Sequence, residues 1–584
     1  MVNKLVYTSL LLTILLSLTQ PRFLANEDSN SPEVIFSKDS GFYDTEFELI
    51  LTSPQNYEIY YTVDGSDPTN SETAQQYSDP IKIVDRTSEP NIYSSYEENE
   101  TSPYSISRGV GYKKPPFNVD KAMIVRAVAK NSNEFGKILQ RSYFITTDDL
   151  AYYQDFTVVS LVTNPDNLFG ADKGIYVTGN QFIEYINNGG TPPFPWMVND
   201  VCNYFMKGSE WEREAHIEIF EKGNLSIQEN VGIRMKGSST RNSPEKSFNV
   251  YFRKKYGKKI LESSTLFPDN KDVNGNPITE YDSFALRAIG EEGRARDQFA
   301  TRLIKDRILE ATTNMKNSYL FINGEFWGTY VITEKYSQKF FADHYNLNKE
   351  DIVYMKEEDP KADSEEETSE LINFLKLYGS KDLSDANNYK KVCDFIDIDS
   401  LIEHYATGIF LVIYDWPSHN YGLWKSRGNP INGNIFSDGK WRFITYDLDY
   451  TMGKTYASFG GVEGYQFDMF KKVIEEKDIP TNLFTALLNN TDFKEKFRNV
   501  FEEYANKIIT IDKVNELINE YKKDFTEMLA NTQVRWGGYG GSTKMETYSW
   551  SKNNYLSKVL PQIKKFFEER AKYALEDMEE YLGK

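Results

Sequence analysis

Asp415 and Asn420 bound the segment Asp415-Trp-Pro-Ser-His-Asn420, and Asp447-Leu-Asp449 follows a short distance on. A loop carboxylate can take the proton of a hydroxyl that attacks phosphorus, and carboxylate and amide oxygens are hard donors for Mg²⁺. A base, then a metal-binding amide, then a metal-binding carboxylate is the order in which phosphoryl transfer from a nucleotide uses such groups. Asp and Asn also favour turns for their own sake, so the Asp415–Asn420 spacing alone says little. The ordered set says more. In an extended segment, Asp447 and Asp449 share one face and can bind one cation or its waters.

Two strands must position these groups. Tyr421–Lys425 and Trp441–Tyr446 read as a hairpin around a turn region rich in Gly, Asn and Asp between Gly428 and Gly439. Helices are expected at Arg296–Ala311, with Phe299, Leu303, Ile304 and Ile308 on one face, and at Ser400–Ile413 with Asp399 as N-cap. Pro417 keeps the second helix from running through the loop. Strands are expected at Val158–Val162, Gly174–Val177, His216–Phe220, Val231–Lys236 and Ser247–Phe252. Between the last two, Gly232-Ile-Arg-Met-Lys-Gly-Ser-Ser-Thr-Arg241 with Lys246 offers turn N–H groups and cations to phosphates. A plain hairpin turn with solvated basic residues fits the same pattern. The acidic run Glu358–Glu370 reads as a solvated loop, and the chain from Pro480 onward as mainly helical, with Pro561 starting or kinking the last helix.

The chain has 584 residues, too many for one core, and 40% are hydrophobic, so two or three packed domains are expected. A net charge of −20 argues against nucleic acid or an anionic membrane as partner and favours a basic polypeptide. Lys4 followed by the apolar run Leu5–Leu18 reads as a leader over residues 1–25, and no other segment has the length and apolarity to cross a membrane. Secretion follows as an expectation. Cys202 and Cys393 are the two cysteines and can pair or stay free; the four histidines lack zinc-site spacing.

Short alternating runs between Glu33 and Thr147, separated by turns such as Asp64-Gly65 and Asp67-Pro68, predict a small β-sandwich over 30–148 with a core of its own. Tyr93–Tyr112 reads as an inserted loop. On Ser40-Gly-Phe-Tyr43 and Tyr60-Tyr-Thr-Val-Asp-Gly-Ser-Asp-Pro-Thr69 the unit resembles the immunoglobulin-like domain at the C-terminal end of chitobiases. That resemblance implies an extracellular accessory domain without catalysis.

The region 152–584 resembles the CotH spore-coat kinase family. The carriers are Val158–Val162 with Gly174–Gly179, Gly232–Arg241 with Pro244–Phe248, Arg296–Ala300, Asn323–Tyr330 with Glu334, Asp415–Lys425 and Trp441–Gly453. The resemblance implies an α+β, protein-kinase-like domain with a mainly helical C-terminal part, using ATP and Mg²⁺. It places the catalytic base on Asp415 and the metal on Asn420, Asp447 and, with it, Asp449. Nucleotide contacts fall on the region of Arg234, Lys236, Arg241 and Lys246; Glu334 occupies a motif position as a partner for Lys246 or a nucleotide-edge contact. The function implied is a secreted or surface kinase that phosphorylates Ser or Thr of a partner protein, basic and Ser-rich by charge. Two alternatives stay open: a non-catalytic adhesin that binds a surface glycan or cell-wall component, and AMP transfer from the same ATP site.

Overall fold

The computed structural model describes residues 33–583 apart from 55, 96–114, 116, 133, 147–149, 192–200, 290–292, 306, 308, 310, 362, 456–458, 524 and 537–543. The leader, most of the Tyr93–Tyr112 loop and Ile308 lie outside the described residues. The chain is β-rich in its N-terminal part and helical in its C-terminal part.

The first unit is built on five strands, β1 (Gly41–Tyr43), β2 (Glu58–Thr62), β3 (Gln75–Gln76), β4 (Met123–Lys130) and β5 (Leu139–Ile145), ordered β1-β5-β4-β2-β3. A short pair, Phe47–Leu49 with Ile81–Ile83, covers it. Leu49, Ile59, Ile83, Val125, Ala127 and Tyr143 fill the space between, as the alternating pattern requires.

Seven strands then close a barrel: β6 (Thr157–Val162), β7 (Arg213–Glu221), β8 (Asn224–Lys236), β9 (Ser247–Tyr251), β10 (Ser283–Ala288), β11 (Met315–Ile322) and β12 (Glu325–Glu334). A four-stranded sheet follows, formed by β13 (Ile352–Lys356), β14 (Asp359–Lys361), β15 (Tyr421–Ser426) and β16 (Arg442–Thr445) in the order β14-β13-β15-β16. The expected hairpin is present: Tyr421 faces Thr445 and Trp424 faces Arg442 across an antiparallel pair. The helices that matter most for the site are α1 (Gly293–Ile304), α2 (Ile398–Leu411), α3 (Phe525–Trp536) and α4 (Leu560–Leu582).

Several boundaries differ from the sequence reading. Helix α1 ends at Ile304, because Ala311 is drawn into a parallel bridge with Ile444 beside β16. Helix α2 starts two residues early, capped by Asp397, whose Oδ1 accepts the N–H groups of Asp399 and Ser400 at 3.1 Å. Gly174–Val177 is no strand. It wraps the helix Pro165–Phe169, with the N–H of Ile175 on Asn167 and that of Tyr176 on Leu168. The acidic run supplies β14 and the helix Glu365–Tyr378, whose first turn carries Glu365, Glu366 and Glu367 where the helix dipole favours negative charge. Cys202 and Cys393 are not joined by a disulfide. No helix among the described residues is long and apolar enough to cross a membrane.

The sandwich keeps this core, and a second apolar cluster joins it to the barrel. Phe144 of β5 lies in one apolar cluster with Phe220, Phe321, Phe326 and Val158 of the barrel and Met528 of α3. Its ring stands edge-on to Phe220 at 5.5 Å and to Phe321 at 5.1 Å. Buried polar ties accompany it: Ser40 donates to Glu218 at 2.5 Å, and Glu325 accepts the N–H groups of Ile92 and Ser94 at 2.6 Å. A chain cut to begin at Leu150 therefore exposes a large aromatic surface. We expect it to lose cooperative melting or to aggregate, as scanning calorimetry and gel filtration would show; a soluble fragment with the full-length Tm would mean that the shared cluster is dispensable.

A second expectation concerns α4. Its Arg570 is fully buried and donates to the carbonyls of Ile409, Phe410, Tyr465 and Phe467. Near it, Asp577 is pushed up to about 7 by burial and then by Asp468, against the pull of Arg570. The folded chain thus holds a proton that the unfolded chain has released, from the ordinary value of 3.8 up to about 7, so this group lowers stability as pH rises across that window. Asp577→Asn should raise Tm at pH 8 and change it little at pH 4, as paired melting curves will show.

Candidate active site

Helix α2 ends at Leu411, and Val412 turns the chain with a left-handed φ of 53° into the loop that carries Asp415. Asn420 closes the loop, itself left-handed at φ 60°, and its Nδ2–H donates to Asp415 Oδ2 at 2.7 Å. The chain then runs out along β15 and back along β16 to Asp447, left-handed at φ 61°. Asn and Asp tolerate this conformation better than other residues with a Cβ. Asp415, Asn420, Asp447 and Asp449 are thus brought together. The Asp415 carboxyl is pushed up to about 7, by burial first and then by the negative charges of Asp449 and Asp447. Its Oδ1 is buried without a hydrogen-bond partner.

A cavity of about 410 Å³ lies between Asp447 and the barrel. Lys236 of β8, Arg287 of β10, Lys335 beyond β12, Lys356 of β13 and Asp447 line it. Arg287 holds two acids at once: one nitrogen donates to Asp447 Oδ1 and the other to Asp297 Oδ2, each at 2.7 Å. Asp297, on α1 and only 1% exposed, uses its other oxygen to accept the N–H of Leu448 at 2.9 Å. The neighbouring Arg296 donates to the carbonyls of Thr451 and Met452. Helix α1 therefore grips the acidic strand end from both sides. Burial pushes Lys236 well below its usual value, helped by Arg287 and Lys356. Lys356 is lowered to about 8 by burial, against the pull of Asp447. The chain is acidic overall, yet its cations converge on this cavity, which suits a polyanion.

Among the other sequence candidates Glu334 also lines this cavity, whereas Arg241, Lys246 and Arg234 take other places. Arg241 donates to the carbonyls of Gly237, Tyr204, Phe205 and Met206. Lys246 donates to Arg241 O at 2.8 Å and Ser243 O at 2.9 Å, with its ammonium 4.1 Å from the Tyr204 ring centre. Both brace the turn from within. Arg234 stacks on Tyr251 and pairs at 3.5 Å with Glu212. Glu334 stands on the cavity wall, and its carboxylate accepts from Asn270 and from the N–H and side chain of Asn314 and lies 3.1 Å from His344 Nε2. Burial works to raise that carboxyl, but His344 and Asn314 hold it below its ordinary value.

Arg287, Asp297, Lys335 and Lys356 are the residues the sequence reading missed. A signal existed for the first two: Ala285-Leu-Arg287 ends a buried strand, and Asp297 sits in the quoted Arg296–Ala300 segment of the next helix. Nothing in the pattern marks Lys356.

Asp447, Asp449 and Asn420 offer hard oxygens, and the negative charge that raises Asp415 is what a cation would relieve. Among the described residues no group of three His, Cys, Asp or Glu side chains is arranged to hold a metal ion. These residues are then predicted to separate by mutation. Arg287→Met should weaken ATP binding by about tenfold or more, the scale of a lost charge-assisted contact. Lys246→Met should lower Tm and leave ATP affinity intact. Calorimetric titration with a non-hydrolysable analogue beside melting curves tests both, and the reverse pattern would return the phosphates to the turn.

Residues 38–105 match the chitobiase/beta-hexosaminidase C-terminal domain. No curated protein matches the chain. Residues 233–574, more than half of the chain and all four acidic-site residues with Lys236, Arg287, Asp297 and Lys356, match the CotH kinase protein family. The chain belongs to the CotH kinase family.

Proposed function

We propose that this chain is a secreted or surface-exposed atypical kinase that moves the γ-phosphate of ATP to a Ser or Thr hydroxyl of a partner protein, with Mg²⁺. The observation that carries the reading is the set Asp415, Asn420 and Asp447, brought together so that Asp447 lines a cavity with Lys236, Arg287 and Lys356. Family membership supports kinase chemistry in general, and the site supports its details.

Asp415 takes the proton of the acceptor hydroxyl as its oxygen attacks the γ-phosphorus; a carboxyl raised toward neutrality is a competent base for that step. Asn420, Asp447 and Asp449 would hold Mg²⁺, which would supply charge neutralisation. Lys236, Arg287, Lys335 and Lys356 orient the phosphates from the other wall. The Arg287–Asp297 pair joins a barrel strand to the helix that follows it, matching the strand-cation and helix-acid pair that kinases require. In this reading 152–584 is a kinase-like domain and 30–148 an immunoglobulin-like accessory domain bonded to it.

An acidic rim around the base fits a basic, Ser-bearing acceptor. Glu357 and Glu358 stand at the β13–β14 turn, with Asp478 beyond, and all three raise the neighbouring Tyr421 hydroxyl after burial.

Asp415→Asn should cut turnover by about 10²–10⁴-fold with ATP affinity nearly intact. Turnover is read with ATP labelled separately at the α- and γ-phosphates. Label on protein from the γ-position supports the reading; label from the α-position moves it to AMP transfer. No label, with an unchanged Asp415→Asn variant, leaves a surface binder.

A further inference from the structure

His404 lies on α2 and is 3% exposed; it does not line the cavity, although its partner Thr445 does. Its Nε2 accepts the indole N–H of Trp416 at 2.9 Å, and its Nδ1 stands 3.1 Å from Thr445 Oγ1. An indole nitrogen only donates, so Nε2 carries no proton. A neutral imidazole then has its proton on Nδ1, which donates to the Thr445 hydroxyl. Burial lowers the imidazole to about 3, so it is neutral at any ordinary pH. The ring is packed on both sides, stacked at 4.6 Å on Phe443 and edge-on at 5.4 Å to Trp416.

The two partners belong to the two halves of the acid set. Trp416 follows Asp415 in the loop, and Thr445 ends β16 two residues before Asp447. The indole reaches the helix because Gly408 leaves room: a Cβ there would stand 2.5 Å from the Trp416 ring. One rigid ring, hydrogen-bonded at both ends, thus spans from the loop of the base to the strand of the metal carboxylates.

We infer that His404 is a positioning residue that sets the separation of Asp415 from Asp447 by tying Trp416 to Thr445. The inference rests on the kinase reading, in which those two acids must hold a fixed distance across the transferred phosphoryl group. A displacement of about 1 Å can cost about 10²-fold in rate without touching binding.

The full-length chain tests it through four variants, with kcat, KM for ATP and Tm measured for each. Trp416→Phe should lower kcat about 10-fold to 10²-fold at unchanged KM for ATP, and Thr445→Val, at a residue that lines the cavity, should lower kcat by the same factor. Thr445→Ser, which keeps the accepting hydroxyl, should retain wild-type kcat. The Trp416→Phe/Thr445→Val double variant should be no slower than the slower single one, because a cut at either end opens the bridge. Wild-type kcat in Thr445→Val, equal losses in the Ser and Val variants, or losses that multiply in the double variant would each overturn the proposal. The ring-nitrogen spectrum of ¹⁵N-histidine-labelled protein reads the bridge without turnover, and a proton on Nε2 of His404 would overturn it as well. A wild-type chain that transfers no phosphate overturns the kinase reading and this inference with it; an active wild type with any of the other results overturns the inference alone.

Discussion

The last turn of α2 ends inside the protein, and its unpaired carbonyls must find donors there. Arg570 from α4 takes Ile409 O and Phe410 O. Thr451 Oγ1 and the N–H of Met452 take Leu411 O. Ile413 N–H takes Gly408 O. These bonds fix where the chain leaves the helix and so where the Asp415 loop begins. The same bonds hold the segment after Asp447–Asp449 against the helix end. Removing one donor would leave a buried carbonyl unpaired, a cost of about 1–3 kcal/mol, and would free both halves of the acid set together.

The acids alone would repel one another. Burial raises the Asp415 carboxyl first, and the charges of Asp449 and Asp447 raise it further. The arrangement is held by cations from the opposite wall and by helix α1, where Asp297 fixes Arg287 and the N–H of Leu448. Buried charges survive only when paired and hydrogen-bonded, and Asp297 meets both conditions. A net charge of −20 over the whole chain and a cationic cavity are compatible because the lysines and arginines of the site come from β8, β10 and β13, elements that meet only in the folded state.

The aromatic cluster around Phe144 gives the N-terminal unit a structural part in this arrangement. It packs on the outer side of the barrel whose β12 also receives α3, where Thr329 N–H donates to Thr532 and Trp536 donates to Trp327 O. Sandwich, barrel and C-terminal helices are therefore three bodies on one set of strands.

The sequence by itself determined the hairpin Tyr421–Ser426 and Arg442–Thr445, the β-rich start, the helical end and the order Asp415, Asn420, Asp447, because period-2 patterning, turn residues and motif order are local properties. It also made Lys246 and Arg241 look like nucleotide contacts, since a basic residue near a small-residue turn has the same pattern whether it faces phosphate or a carbonyl. Only the tertiary structure turned those side chains inward and put Arg287, Asp297 and Lys356 in their place. Helix ends at Ile304 and Asp397 were decided there too, by Ala311 pairing with Ile444 and by Arg442 reaching Asp397 at 2.9 Å. The shared core around Phe144 was invisible for the same reason. Which face of a strand meets a second domain depends on contacts between residues far apart in the chain, and the period of one strand carries no information about them.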